Sequence, residues 1–538
     1  DVEGSLYDAN LRTFKAIDTY TVKGDANGET YTPRFTYHGF RYVEITGLDE
    51  ALPASYLTGV VLSNALETTG SIQTSNALVN QLYSNAYWGL LSNFISVPTD
   101  CPQRNERMGW AGDAQIFTRT ATYFKNANLF YQKYLGDMRT SQRNDGAYAD
   151  IAPALNIHET YLHNGWGDAG VIIPWQIYQQ YGDTQVIRDH YASMKAWVDA
   201  LYKSTNGTYI RQDNTGYGDW LGVESTSPSL TDTGFFIYSC ELFSKMAKAI
   251  DRSDDADYYA DMAQQAKQAW KNRFQNADGT IKETTQTACI VALQFNIVED
   301  ENDRAKIAKQ LVDNIKAHDY HLTVGFVGVS YLCPVLSEMG YSDVAYALLQ
   351  QETYPSWLYS VNQGATTIWE RWNSYTKDNG FGPVSMNSFN HYSYGAIVEW
   401  MYRYMLGIER DENNVGYKHF ILQPQLGGTI TSVSGYFDTV YGRINSSWSI
   451  EDDSFTYSAT VPANTMATLY LPILGDGSVT ESGVLAENSE GVRFVGVEKN
   501  NNVYELASGS YTFVWNAHTH DLKKVAAKDP SCTEAGNR

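Results

Sequence analysis

The hydrophobic period changes twice along these 538 residues, from two to a helical spacing near residue 71 and back to two near residue 416. A period of two puts successive side chains on opposite faces of a strand, whereas recurrence every three or four residues puts them along one face of a helix. The chain therefore reads as β, then α, then β. Residues 1–70 carry alternation in TFKAIDTYTVKG, PRFTYHGFRYVEITG and ASYLTGVVLSNAL, with Gly or Asp-Glu breaks between them. So few strands rarely stand alone. We read them as the end of a β-sandwich, or as strands packed on the next domain.

In SNALVNQLYSNAYWGLL, Leu78, Leu82, Ala86 and Leu90 share one stripe and Ser75 is placed to cap the helix. The spacing recurs in GFFIYSCELFSKMAKAI, YYADMAQQAKQAWKNRF and SYGAIVEWMYRYML. Long connections dense in Gly, Trp, Asp and Tyr join these helices, which predicts an α/α toroid over 71–415 whose loops meet in one cavity. Alternating strands over 416–516, such as SFTYSATVPANTMATLYLPI, predict a closing β-sandwich, and 517–538 reads as a linker or tail. The start at Asp1 without Met and the featureless C-terminus make both ends look cut from something longer. The expected location is then secreted or cell-surface, and cytoplasmic otherwise.

Composition narrows the partners. Lys+Arg 39 against Asp+Glu 61 leaves a net charge of −22, which argues against nucleic acid, since phosphate binding needs clustered cations. No apolar run approaches the roughly 18 to 20 residues of a membrane span. The five cysteines show no CxxC or Cys-His spacing, so neither a disulfide framework nor a zinc site is expected. Cys240, Cys289 and Cys333 lie in apolar stretches and read as buried packing residues. No cofactor or metal is expected, and the oligomeric state is not legible.

The densest chemistry is DCPQRNERMGWAGD, where Asp100, Glu106 and Asp113 alternate with Arg104 and Arg107. A helix-terminal salt-bridge network accounts for the charges. It accounts poorly for Trp110, set between Gly109 and Gly112, which suits a ring offered to a ligand. Trp166 and Asp168 recur among glycines in ETYLHNGWGDAGVIIPW, and Asp219 and Trp220 in NTGYGDWLGVES. Each alone reads more readily as a turn with a packed Trp, but three such loops are harder to dismiss than any one. Glu370 stands between Trp369 and Arg371, with His391 further on, and either is equally a structural Glu-Arg pair or a core histidine. A carboxylate against an aromatic ring is partly desolvated, which raises its pKa, while an adjacent Arg lowers it. Paired carboxylates among tryptophans, without a nucleotide loop or a Ser-His-Asp set, point to sugar chemistry. Glycoside hydrolysis needs one carboxylic acid for the leaving oxygen and one carboxylate on the opposite face of the sugar.

In this order, DCPQRNERMGWAGDAQ, GWGDAGVIIPW, YGDWL, ETYPSWLYSVNQGATTIWERW and SFNHYSYGAI closely resemble the α-L-rhamnosidases of glycoside hydrolase family 78. The likeness runs from PRFTYHGFRYVEITG to about residue 516. It implies an (α/α)6 barrel flanked by β-sandwich domains and hydrolysis with inversion. It further implies Glu106 as general acid, Glu370 as general base, and Asp100, Arg104, Asp113 and His391 as holders of rhamnose hydroxyls. Trp110, Trp166 and Trp220 would form an aromatic wall for the C6 methyl and apolar sugar face. Asn105 departs from the family, where many members carry Asp, and activity is expected to survive that. The expected substrates are α-L-rhamnosides of plant glycosides or polysaccharides. A barrel glycosidase for another sugar and an inactive rhamnose-binding protein are the alternatives.

Overall fold

The computed structural model describes residues 6–155, 160–212, 216–451, 454–473 and 478–516. The expected linker at 517–538 lies outside the described residues. The helices are α1 (Ala77–Asn93), α2 (Ala111–Phe124), α3 (Asn128–Thr140), α4 (Ala169–Tyr181), α5 (Gln185–Ser204), α6 (Pro228–Ala249) and α7 (Ser253–Phe274). They continue as α8 (Gln286–Gln294), α9 (Glu301–Ala317), α10 (Phe326–Glu338), α11 (Ser342–Leu349), α12 (Trp357–Asn362) and α13 (Ile397–Trp400), the last running into a π-helical turn at Met401–Met405.

Burial alternates along this series. All of α2 is buried, and α8 and α10 are nearly so, while α7 and α9 bury one stripe each. A helix buried all round must be enclosed by others. Helices α2, α4, α6, α8 and α10 touch in succession, and α13 touches both α10 and α2, which closes a ring. The intervening helices return the chain on the outside, so the inner helices start at the same end. The stripe predicted for α1 is buried at Leu82, Ala86 and Leu90. Its cap differs from the expectation: the Asn76 side chain accepts the backbone N–H groups of Leu78 and Val79 at 2.9 and 3.1 Å. Ser75 Oγ instead accepts from Thr431 N–H at 2.9 Å, tying the helix start to the C-terminal region.

That region holds two sheets. The seven-stranded one is built mainly from Gly70–Thr74, Ser432–Thr439, Gly442–Glu451, Ser454–Val461 and Gly509–Asn516. The five-stranded one orders Val492–Glu498, Asn501–Leu506, Met466–Pro472, His419–Leu422 and Ile408–Arg410. Strict alternation of buried and half-buried residues in Ser454–Val461 is the period of two seen in the sequence. Gly70–Thr74 pairs antiparallel with Ser432–Thr439, from Gly70 opposite Phe437 to Thr74 opposite Val433, so the segment entering the helices is stitched to the segment leaving them.

The N-terminal region differs from the strands read at residues 1–70. Between Leu6 and Leu66 the described chain carries two 3-10 turns, Ala9–Leu11 and Ala54–Tyr56, and no strand. Alternation sets only where side chains point; a strand also needs a hydrogen-bonded neighbour. No described residue pairs with this segment as a strand, and Ile17, Val22, Phe35 and Tyr42 are exposed.

Candidate active site

The loop from Asp100 to Trp110 enters α2 and is closed on itself. Asp100 N–H donates to Met108 O, and Asp100 Oδ1 accepts Met108 N–H, both at 3.0 Å. Arg107, at φ 59°, donates to Pro102 O and to Tyr37 O at 2.8 Å, and its guanidinium lies over the Phe14 and Tyr37 rings at 4.5 and 4.1 Å. These contacts pin the loop and leave Arg104 and Glu106 aimed at the far segment that carries Glu370.

Arg104 is 1% exposed and donates through Nε and Nη2 to Oε2 of Glu106, at 3.0 and 2.6 Å, and through Nη1 to Met386 O at 3.0 Å. The same Nη1 lies 3.3 Å from Oε2 of Glu370. Arg104 therefore joins the two glutamates, a position the sequence reading had not given it. Glu106 also accepts from Arg12 Nη2 at 2.9 Å on Oε2 and from Trp110 Nε1 at 3.2 Å on Oε1. Burial pushes its pKa up, but Arg104, Arg12 and these hydrogen bonds outweigh burial and hold it below the usual carboxylate range. Glu370 goes the other way: burial lifts it, helped by Glu106 and Asp113, against His391 and Arg104. Its buried Oε2 accepts no hydrogen bond among the described residues.

Asp100 is pushed up to about 8 by burial and by the charges of Glu106 and Asp113, against the charge of His391. His391 Nε2 lies 2.9 Å from Asp113 Oδ1, and its Nδ1 accepts Ser393 N–H at 3.2 Å. Burial disfavours the imidazolium, yet the bond to Asp113 and the charges of Asp113 and Glu370 raise its pKa overall. Asp100, Cys101 and His391 bring potential metal-ligating atoms within 4.8 Å of one another. Both imidazole nitrogens are already engaged, so this trio offers no preformed ligand set. The buried Cys101, Cys240, Cys289 and Cys333 are free thiols, as packing residues should be.

The three tryptophans converge, but on a residue the sequence reading passed over. Tyr217 has its ring centroid 6.4 Å from Trp110, 4.5 Å from Trp166 and 5.9 Å from Trp220. Its hydroxyl donates to Asp150 Oδ2 at 2.7 Å, which His163 Nδ1 meets at 2.6 Å. Tyr217 sits in the quoted NTGYGDWLGVES, between two glycines like Trp110, and that flanking was its one signal. Trp166 is 3% exposed and covers Gly112, where a Cβ would lie 2.6 Å from its ring, so it backs the wall and Trp110 and Trp220 face it outward.

Two neighbouring acids are structural. Asp168 accepts from Asn164 Nδ2, Gly165 N–H, Trp197 Nε1 and Ser239 Oγ at 2.6 to 3.0 Å. Asp219 caps α10, accepting the N–H groups of Val327 and Gly328 at 2.8 and 3.1 Å and of Gly325 at 2.7 Å. A cavity of about 520 Å³ lies toward the C-terminal ends of the inner helices, lined by Arg119, Trp175, Glu241, Glu399, Arg403 and Arg410. Its charges pair with one another, for example Arg403 with Glu399 at 2.9 Å, and none of the acids gathered at Arg104 lines it.

At the loop end of the ring of helices, two carboxylates thus share one guanidinium beside an aromatic cluster. Residues 67–405 match the bacterial alpha-L-rhamnosidase 6 hairpin glycosidase domain, residues 407–486 the bacterial alpha-L-rhamnosidase C-terminal domain, and residues 1–63 the bacterial alpha-L-rhamnosidase concanavalin-like domain. The chain belongs to the bacterial α-L-rhamnosidase family. An alpha-L-rhamnosidase of Streptomyces avermitilis is 41% identical over 515 residues, covering 95% of this chain and 48% of that protein. One from Formosa agariphila is 38% identical over 523 residues, covering 95% and 56%. The crystal structure of the Streptomyces avermitilis enzyme complexed with L-rhamnose has a TM-score of 0.91 at 40% identity, covering 96% of this chain and 49% of that one. The native Aspergillus terreus alpha-L-rhamnosidase gives 0.85 at 30% identity, covering 95% and 58%. The chain thus spans about half the length of the curated relatives it matches.

Proposed function

We propose that this chain carries the catalytic site of an inverting α-L-rhamnosidase that removes terminal rhamnose from plant glycosides or polysaccharides. The observation that carries the reading is the pair Glu106 and Glu370 at the two ends of one buried guanidinium. Glu106 is the general acid for the leaving oxygen, and Glu370, with an oxygen that accepts no hydrogen bond among the described residues, is the base for water. Inversion needs carboxyl groups roughly 6.5 to 9.5 Å apart, and a guanidinium wedged between them supports such a gap. Asp100, Asp113 and His391 hold sugar hydroxyls, and Trp110 and Trp220, backed by Trp166 and Tyr217, offer the apolar face. The closed ring of α2, α4, α6, α8, α10 and α13 supports an (α/α)6 barrel. The contact of Tyr504 in one sheet with Phe513 in the other, at 5.9 Å, supports the C-terminal sandwich.

One observation favours the opposite distribution of roles: Glu370 holds its proton more tightly than Glu106. With Glu106 as acid, the working form, Glu106 protonated and Glu370 ionised, is the minority among singly protonated forms. Glu106→Gln and Glu370→Gln separate the two readings on aryl α-L-rhamnosides. Loss of the acid spares activated leaving groups, whereas loss of the base is rescued by azide with a β-rhamnosyl azide as product. Azide rescue of Glu106→Gln and not of Glu370→Gln reverses the assignment. Full activity in both variants removes it.

A further inference from the structure

Three consecutive residues of the N-terminal segment meet three consecutive residues of the catalytic loop. Arg12 Nη2 donates to Glu106 Oε2 at 2.9 Å, Thr13 Oγ1 accepts from Asn105 Nδ2 at 2.5 Å, and Phe14 lies under the Arg107 guanidinium at 4.5 Å. The 3-10 turn Ala9–Leu11 sets this register, and Arg12 leaves it at φ 61°, a conformation that non-glycine residues hold only where surrounding contacts impose it. We propose that Arg12 is a positioning residue for Glu106: by binding Oε2 it leaves Oε1, beside Trp110, as the oxygen that carries the catalytic proton, and it governs how readily that proton is held. The proposal rests on the reading of Glu106 as general acid.

The geometry supports the choice of oxygen. Among the described residues, Oε2 receives Arg12 Nη2 and both Nε and Nη2 of Arg104, whereas Oε1 receives Trp110 Nε1 alone, at 3.2 Å. An oxygen facing three donors on two cations is the poorer place for a proton. The groups that face Glu106 electrostatically are Arg104, Asp100 and the Cys101 thiol of its own loop, Arg12 of the N-terminal segment and Glu370 of the far segment. Arg104 also serves Glu370, so Arg12 is the cation that can be changed with the least effect on the base.

The test is the pH profile of kcat/KM for the full chain and its Arg12→Gln and Arg12→Lys variants. Removing a cation in contact with Glu106 raises the pKa of that carboxyl by about one unit or more. The ratio of kcat/KM, Arg12→Gln over wild type, is then expected to rise about tenfold from the acidic limb to the alkaline limb, because one unit of pKa is a factor of ten. Any constant loss from altered packing cancels in that comparison. In Arg12→Lys the ratio is expected to stay flat. A flat ratio in Arg12→Gln overturns the proposal. The reading of Glu106 stands or falls separately: Glu106→Gln equally impaired with activated and poor leaving groups defeats the acid assignment whatever Arg12 does.

Discussion

The guanidinium of Arg104 stands between Glu106 and Glu370, with Nη2 2.6 Å from Oε2 of the first and Nη1 3.3 Å from Oε2 of the second. Only a planar fork can address two carboxylates at once in this way; an ammonium is a point charge. Arg104→Lys is therefore expected to behave nearly as poorly as Arg104→Gln, each losing about 10²- to 10³-fold in kcat/KM on an aryl rhamnoside. Recovery of wild-type kcat/KM in the lysine variant would show that charge alone suffices and that the fork geometry is idle.

How much of this was legible follows from what a period and a motif can carry. The stripe Leu82, Ala86, Leu90 and the alternation in Ser454–Val461 came through because burial follows local spacing. Residues 1–63 match a concanavalin-like domain, yet their alternation pairs with no strand among the described residues, because pairing depends on a neighbour and not on the segment itself. The fold brings together Glu106, Glu370, Asp113 and His391 from three separate motifs. Arg104, which the resemblance gives as a holder of rhamnose hydroxyls, also lies between two acids 264 positions apart in the chain, and no spacing within DCPQRNER reports that. Arg12, 94 positions before Glu106, carried no signal at all. Tyr217 was hidden by abundance, being one of 40 tyrosines.

Tyr217 supplies the ring on which Trp110, Trp166 and Trp220 lean. Aromatic pairs contribute about 0.5 to 1.5 kcal/mol each beyond area burial. Tyr217→Ala should raise KM for an α-L-rhamnoside by about tenfold while kcat moves less, since Tyr217 backs the proposed sugar-facing wall and Trp110, not Tyr217, is the member that bonds Glu106. Tyr217→Phe keeps the ring and loses the hydroxyl's bonds to Asp150 and, more weakly, Thr160, so its KM should stay within about threefold of wild type. Equal damage from both variants would assign the effect to the hydroxyl and take the ring out of the argument.

His391 keeps a raised pKa although burial works against it, because Asp113 accepts its Nε2 proton at 2.9 Å and lends a negative charge. Asp113→Asn removes the charge and keeps the shape. The His391 pKa is expected to fall, read from the imidazole carbon shifts of a histidine-labelled sample titrated with pH. An unchanged titration would mean that Glu370 and Asp100, not Asp113, support the imidazolium.

Glu409, in the strand Ile408–Arg410 of the C-terminal five-stranded sheet, accepts from Arg119 of α2 and from Arg403 of the π-helical turn, and so binds sheet to helices. Burial pushes its carboxyl up, but Arg119, Arg403 and Arg410 outweigh it and hold the pKa at about 2. A carboxylate with a depressed folded-state pKa stabilises the fold above its unfolded value, about 4.3, and that contribution is lost as pH falls through the folded value. Glu409→Gln leaves the guanidinium groups of buried Arg119 and half-buried Arg403 short of a counter-charge, which costs about 3 kcal/mol. The gap in unfolding free energy between wild type and variant should be constant from pH 7 to about pH 5 and should narrow as the pH is lowered toward 2. Denaturant unfolding at a series of pH values reads this directly. A gap that holds its full size down to pH 2 would mean that the variant fails through lost packing, with the charge of Glu409 contributing nothing.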